Sequence, residues 1–287
     1  MVNNAPPPTE IFWWIFIVLS MKPLLDQRML DVYRTKLMQE LEKKRGSRII
    51  TLVHRQESVN FLGMPVMQYI TIEDAQSVLN AIRLTDPEVP IDILLHTPGD
   101  ISMPAEQVAR ALKRHKGKVT VFVPHYAMAG GTAIALAADE LIMNEDAVLG
   151  AIEPIVSKYP ASSFLKVIAT KSVAKVNDET WIYADLAKKE ITQNRDFVIE
   201  LLDGKIEASQ AEALAAALTG GRWTHDYPIS VAELKQLGLN ISTAMPVEIY
   251  QVMNLYPQPR GLRPSVEFIP LPYSNSPVEK KLPPTRK

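Results

Sequence analysis

From Arg48 onward the chain alternates short apolar runs with stretches of helical periodicity, and this alternation limits the fold more than any other feature. "RIITLVHR" has the β-branched character of a strand, "IEDAQSVLNAIRL" reads as a helix with Asp74 in its first turn, and "PIDILLHTPGD" reads as a buried strand entering a turn. "MPAEQVARALKRHKG" starts near a proline and closes on lysines and a glycine, as helices do. "KVTVFVP" is again a strand, "AMAGGTAIALAADE" a helix of small residues, and "ELIMN" a strand that leads into the short "AVLGAIEP". Strands alternating with helices predict parallel βαβ units with helices on the sheet faces, an α/β fold.

In such sheets ligands bind beyond the carboxyl ends of the strands. Two strand ends therefore draw attention, "LLHTPGD" at 94–100 and "FVPHYAMAGG" at 122–131. Gly99 lets backbone N–H groups approach a ligand, and Gly130 with Gly131 lets a helix start close against its neighbour. N–H groups converging from a turn and a helix start make an oxyanion hole, each donor worth about 3–4 kcal/mol. The same glycines equally suit tight packing of helix on sheet, and their spacing does not choose between the two.

Composition narrows the partners. The 31 basic residues almost balance the 32 acidic ones, so no overall field recruits nucleic acid. The absence of cysteine excludes disulfides, thiolate metal sites and a cysteine nucleophile. Prolines gather in "NNAPPPTE" and in the tail from Tyr256, so residues 1–10 and 257–287 are expected to be disordered.

Residues 11–21, "IFWWIFIVLSM", form an uninterrupted apolar run with paired tryptophans. Eleven helical residues reach about 16 Å, against about 30 Å for a bilayer core, so the run is too short to span alone. The next segment places Leu30, Tyr33, Leu37 and Leu41 on one helical face, and Lys22 to Arg48 carries a net charge of +4. Residues 11–47 thus read as a hydrophobic anchor and a basic amphipathic helix on an anionic leaflet, with the body cytoplasmic. The competing reading is a buried helix pair or an oligomer contact.

The stretches "RGSRIITLVHRQE", "IDILLHTPGD", "AEQVARALKRHKGKVTVFVPHYAMAGGT", "IALAADE", "AVLGAIEP" and "RWTHDYPISVAE" closely resemble the serine dehydrogenase proteinase family. Those proteins are membrane-associated relatives of signal peptide peptidase A and of the ClpP class. The resemblance runs over roughly residues 11–257. It implies a ClpP/crotonase-like fold of repeated ββα/βαβ units over residues 48–256, an N-terminal membrane-associating helix, homo-oligomeric assembly, and hydrolysis of peptides or membrane-protein segments without a cofactor or metal.

By position, the resemblance assigns the nucleophile to Ala129 and the oxyanion turn to Gly99 and Asp100, with Gly130 following the nucleophile. Both slots depart from the family pattern, which has a serine in the first and paired glycines in the second. Alanine has no oxygen to attack a carbonyl, and a carboxylate at Asp100 would put negative charge near where negative charge must develop. The family's base is a lysine kept neutral by burial. "SSFLKVIATK" offers Lys166, whose apolar neighbours Leu165 and Val167 could desolvate it, and then Lys171.

His54, His96 and His125 do not occupy the position after "VLG" where ClpP relatives carry a histidine, and each is expected to be structural. His225 with Asp226 lacks further ligands nearby, so no metal is expected. Two explanations of Ala129 stay open: a replaced nucleophile in a peptidase, or a natural pseudopeptidase that binds peptide or scaffolds a membrane-bound homo-oligomer. The crotonase side of the fold, with an acyl thioester in the pocket, finds no matching adenine site.

Overall fold

A computed structural model describes residues 28–54, 60–61, 64–65, 69–99 and 103–256. The expected anchor at 11–21, both proline-rich ends and Asp100 lie outside these residues.

A first helix, α1, covers residues 28–45 and leads into strand β1 (Arg48–Val53). A short antiparallel pair, β2 (Asn60–Phe61) and β3 (Met64–Pro65), precedes helix α2 (Ile72–Arg83). Thr71 and Asp74 form a capping box at the start of α2, which satisfies N–H groups that the helix itself leaves unpaired. Strand β4 (Ile91–His96), helix α3 (Met103–Arg114) and strand β5 (Val119–Val123) follow. Next come β6 (Tyr126–Ala127), α4 (Gly130–Leu136), β7 (Glu140–Met143) and β8 (Val148–Leu149). The hairpin of β9 (Ile155–Val156) and β10 (Tyr159–Pro160) leads to α5 (Ala161–Thr170), the long α6 (Asp178–Leu202) and α7 (Ala208–Thr219). The described chain closes with β11 (Ile229–Ser230), α8 (Val231–Gln236), β12 (Ile241–Ser242) and α9 (Val247–Asn254).

The main sheet has the order β1-β4-β5-β7-β12, and every pairing in it is parallel. All residues of β4 and β5 are buried, as expected for central strands covered on both faces. The period-two alternation of strand side chains divides the core. Ile50, Leu52, Ile93, Leu95, Val121, Val123, Leu141 and Met143 pack with residues of α2, α3, α4, α6 and α7. Ile49, Leu94, Phe122 and Ile142 point the other way, against Leu41 of α1 and Ile249, Val252 and Met253 of α9. The result is a mixed α/β architecture with a parallel sheet between two helical layers.

The C-terminal half of α1 packs its apolar side on the body. Leu41 is buried against α9, with Leu37 and Met38 partly buried beside it. Its basic residues also engage the body: Lys44 pairs with Glu248, Arg45 with Asp92, and Arg34 Nη2–H donates to the carbonyl of Leu255 at 2.9 Å. Met29, Val32 and Tyr33, near the start of α1, remain exposed. Among the described residues no helix is long and apolar enough to cross a membrane.

A second sheet of order β11-β8-β6 lies at the end of the main one, and Thr97, just past β4, bridges to Ala127. This bridge joins the two turns that the sequence singles out.

Candidate active site

The chain leaves β6 through Met128 and enters α4 at Gly130, and the reversal falls on Ala129. Ala129 has φ 44° and ψ −109° and is fully buried. Such a conformation in a residue with a Cβ costs on the order of 1–3 kcal/mol and persists only where the surroundings impose it. Here they do. Met128 N–H donates to Thr97 O at 3.0 Å, and Gly131 N–H donates back to Met128 O at 2.7 Å. The Thr132 hydroxyl lies 2.9 Å from the carbonyls of both Ala127 and Gly150, and it accepts from Gly150 N–H at 3.0 Å. A side chain at Gly150 would stand 3.1 Å from Met128 Cα, so the segment after β8 backs directly onto the elbow.

The turn after β4 meets this elbow. A Cβ on Gly99 would lie 3.0 Å from both Gly131 N and Met128 O, which shows how closely the two glycine turns adjoin. Gly99 N–H donates to Thr97 Oγ1 at 3.1 Å, so that amide is engaged within its own turn. Gly130 is the first residue of α4 and directly follows Ala129.

Behind Thr97 stands His54, 8% exposed, at the end of β1. Its Nδ1 lies 2.9 Å from Thr97 Oγ1 and its Nε2 lies 3.2 Å from Asp74 Oδ2 in the first turn of α2. Neither Thr97 nor this connection was legible in the sequence. The nearest signal was three polar residues at strand or helix ends, His54, Asp74 and Thr97, in consecutive βαβ units. Sequence reading also passed over Glu153, a buried carboxylate in "AIEP" that accepts from Ser162 N–H at 3.2 Å.

The lysines are placed differently from the expectation of a desolvated base. Lys166 in α5 and Lys171 at its C-terminal end are both exposed in the described chain. Adjacent helical residues point about 100° apart, so the apolar neighbours of Lys166 do not cover it. Phe164 and Leu165 pack instead against Val156, Ala161 and Ala187. His96 is buried, with its ring 4.2 Å from that of Tyr126 and edge-on to exposed His125 at 5.5 Å. Among the described residues no group of three or more candidate ligands could hold a metal.

A family described as ClpP-like SDH-type serine proteinase matches residues 6–282 of this chain. The chain is 47% identical over 272 residues to the uncharacterized protein MJ1495 of Methanocaldococcus jannaschii, covering 94% of this chain and 93% of that protein. Among solved structures it is similar to an alanine mutant of the 1510-N membrane-bound stomatin-specific protease, with 19% identity, a TM-score of 0.44, and coverage of 66% of this chain and 82% of the other. It is also similar to ClpP1 from Listeria monocytogenes, with 16% identity, a TM-score of 0.46, and coverage of 74% and 99% respectively.

Proposed function

This chain belongs to the ClpP-like SDH-type serine proteinase family, and from that premise we propose that it is a pseudopeptidase, holding peptide segments at the Ala129 elbow without cleaving them. The observation that carries the reading is the backbone of Ala129 itself. A buried residue held at φ 44° between a strand and a helix is the posture that presents a nucleophile to a carbonyl, and here it presents a methyl group. The strain of the elbow is kept while the atom that would use it is missing. Loss of the nucleophile costs a serine peptidase roughly a millionfold in turnover, so peptide hydrolysis by this chain falls to background.

The exposure of Lys166 and Lys171 fits the same reading, because within the described chain neither has the burial by which the family's base is desolvated. Assembly of several copies, with α5 covered by a neighbouring chain, is the circumstance in which either lysine would be desolvated. A membrane tether is supported by the apolar run at 11–21, whereas Leu37, Met38 and Leu41 of α1 pack on the body.

The test is a fluorophosphonate probe applied to the unmodified chain and to Ala129→Ser. The unmodified chain stays unlabelled, and peptides bind it in a fluorescence titration without being cut. Phosphonate-sensitive cleavage by the unmodified chain would refute the proposal. Labelling of Ala129→Ser would show that the site around the missing hydroxyl is still assembled.

A further inference from the structure

Asp74, His54 and Thr97 come from three separate elements, the first turn of α2, the end of β1 and the end of β4, yet they form one hydrogen-bonded line. Its polarity is fixed at the half-exposed end. A carboxylate only accepts, and Asp74 Oδ2 takes the Thr71 N–H at 2.8 Å, the Thr71 hydroxyl at 2.8 Å, and His54 Nε2 at 3.2 Å. His54 Nε2 therefore carries a hydrogen. In the neutral ring Nδ1 is then left as an acceptor, and the group facing it at 2.9 Å is the Thr97 hydroxyl. With its proton given to His54, Thr97 Oγ1 offers lone pairs, and Gly99 N–H donates to it at 3.1 Å. A hydrogen-bonded line thus runs from the carboxylate in the first turn of α2 to the amide of Gly99.

Thr97 also grips both turns by other atoms. Its N–H donates to Tyr126 O at 3.2 Å and its carbonyl accepts Met128 N–H at 3.0 Å. Its methyl fills the space that a side chain at Gly131 would need.

We propose that Asp74, His54 and Thr97 are positioning residues, a relay that locks the Pro98–Gly99 turn against the Ala129 elbow and sets which amides the turn presents to a bound peptide carbonyl. The relay acts through Thr97 and does not itself touch the peptide, because Thr97 is fully buried. This inference rests on the peptide-site reading, and the experiment separates the two.

Two substitutions divide the Thr97 side chain. Thr97→Val keeps the shape and removes the hydroxyl, whereas Thr97→Ser keeps the hydroxyl and removes the methyl. In the full chain, amide hydrogen exchange at Gly99 is read by NMR for both variants. Thr97→Val accelerates exchange about tenfold, the scale of one buried hydrogen bond, and Thr97→Ser stays within about threefold of the unmodified chain. The same pair, in the fluorescence titration of peptide binding, weakens binding about tenfold for valine and leaves it near normal for serine. Asp74→Asn gives an intermediate effect in both assays.

Equal exchange in Thr97→Val and the unmodified chain would overturn the relay. Peptide binding that is insensitive to Thr97→Val would overturn its positioning role. Failure of the unmodified chain to bind peptide, with the exchange difference intact, would sink the peptide-site reading and leave the relay as the lock of the turn.

Discussion

The methyl of Thr97 occupies the place of a side chain at Gly131: a Cβ there would stand 2.5 Å from Thr97 Cγ2 and 3.2 Å from Ala127 Cβ. Both obstacles are short side chains fixed to strand-end backbone, so neither can swing away. Gly131→Ala is therefore expected to destabilise the fold by about 1–3 kcal/mol in urea denaturation, the range for overpacking a core. Adding Thr97→Ser removes the methyl in the way, so the double variant recovers part of that loss. Additive losses would mean that the two residues do not compete for this space.

The elbow makes an opposite prediction two residues earlier. Glycine at a buried, helical alanine such as Ala133, 1% exposed, costs about 1 kcal/mol. At Ala129 the same change releases the positive-φ strain, which offsets the lost methyl, so Ala129→Gly is expected to lie within about 1 kcal/mol of the unmodified chain or slightly above it. Ala129→Val adds a branched side chain to the same backbone and loses at least about 2 kcal/mol. Thermal or urea unfolding of the three variants decides the matter, and a large loss in Ala129→Gly would mean that the elbow is unstrained.

The difference between what was legible and what was not follows from the range of the interactions. Strands β1, β4, β5 and β7 and helices α2 and α3 announce themselves because each buries a periodic apolar face, a property of consecutive residues. The closeness of Gly99 and Gly131 follows from the same logic, since neighbouring parallel strands end side by side. The two-residue strands β6, β8 and β11 carry no period of their own and exist only because Ala127, Leu149 and Ile229 meet in space. The exposure of Lys166 is not readable from its sequence neighbours, which on a helix face elsewhere. The link from His54 to Asp74 and Thr97 joins residues 20 and 43 positions apart, beyond any local pattern.

Asp92 is an acid inside β4, 1% exposed, and it is held from one side. Ser47 Oγ–H donates to its Oδ2 at 2.6 Å, Arg45 Nη2–H donates to its Oδ1 at 3.2 Å, and Arg45 Nε–H donates to Oδ2. The carboxylate raises the Arg45 pKa above its ordinary value chiefly through this hydrogen bond, and the guanidinium also lies 4.9 Å from the Phe122 ring. Asp92→Ala leaves Arg45 and Ser47 without their acceptor and is expected to cost about 3–5 kcal/mol. Asp92→Asn, which keeps the shape, costs less. A loss below about 1 kcal/mol for the alanine variant, read by urea denaturation, would show that the pair contributes nothing net to stability.

Lys205 gives the fold a pH dependence of predictable sign. Its ammonium, which donates to the carbonyl of Leu136 at the end of α4 at 2.9 Å, is desolvated by burial, with Lys113 adding repulsion and Asp139 opposing it. The net effect lowers its pKa from 10.5 to about 8. Below pH 8 both folded and unfolded chains hold the proton, and the folded state bears the cost of the buried charge. Between pH 8 and 10.5 the folded chain has released a proton that the unfolded chain still binds, so stability contributed by this group rises with pH across that window. Lysines and tyrosines elsewhere titrate over the same range, and comparison with Lys205→Met isolates the one that matters. The stability of the unmodified chain, measured relative to Lys205→Met by urea denaturation, is expected to increase from pH 8 to 10.5. A difference that stays flat over this range would place Lys205 in solvent, and the contact with α4 would then contribute nothing to the proton balance.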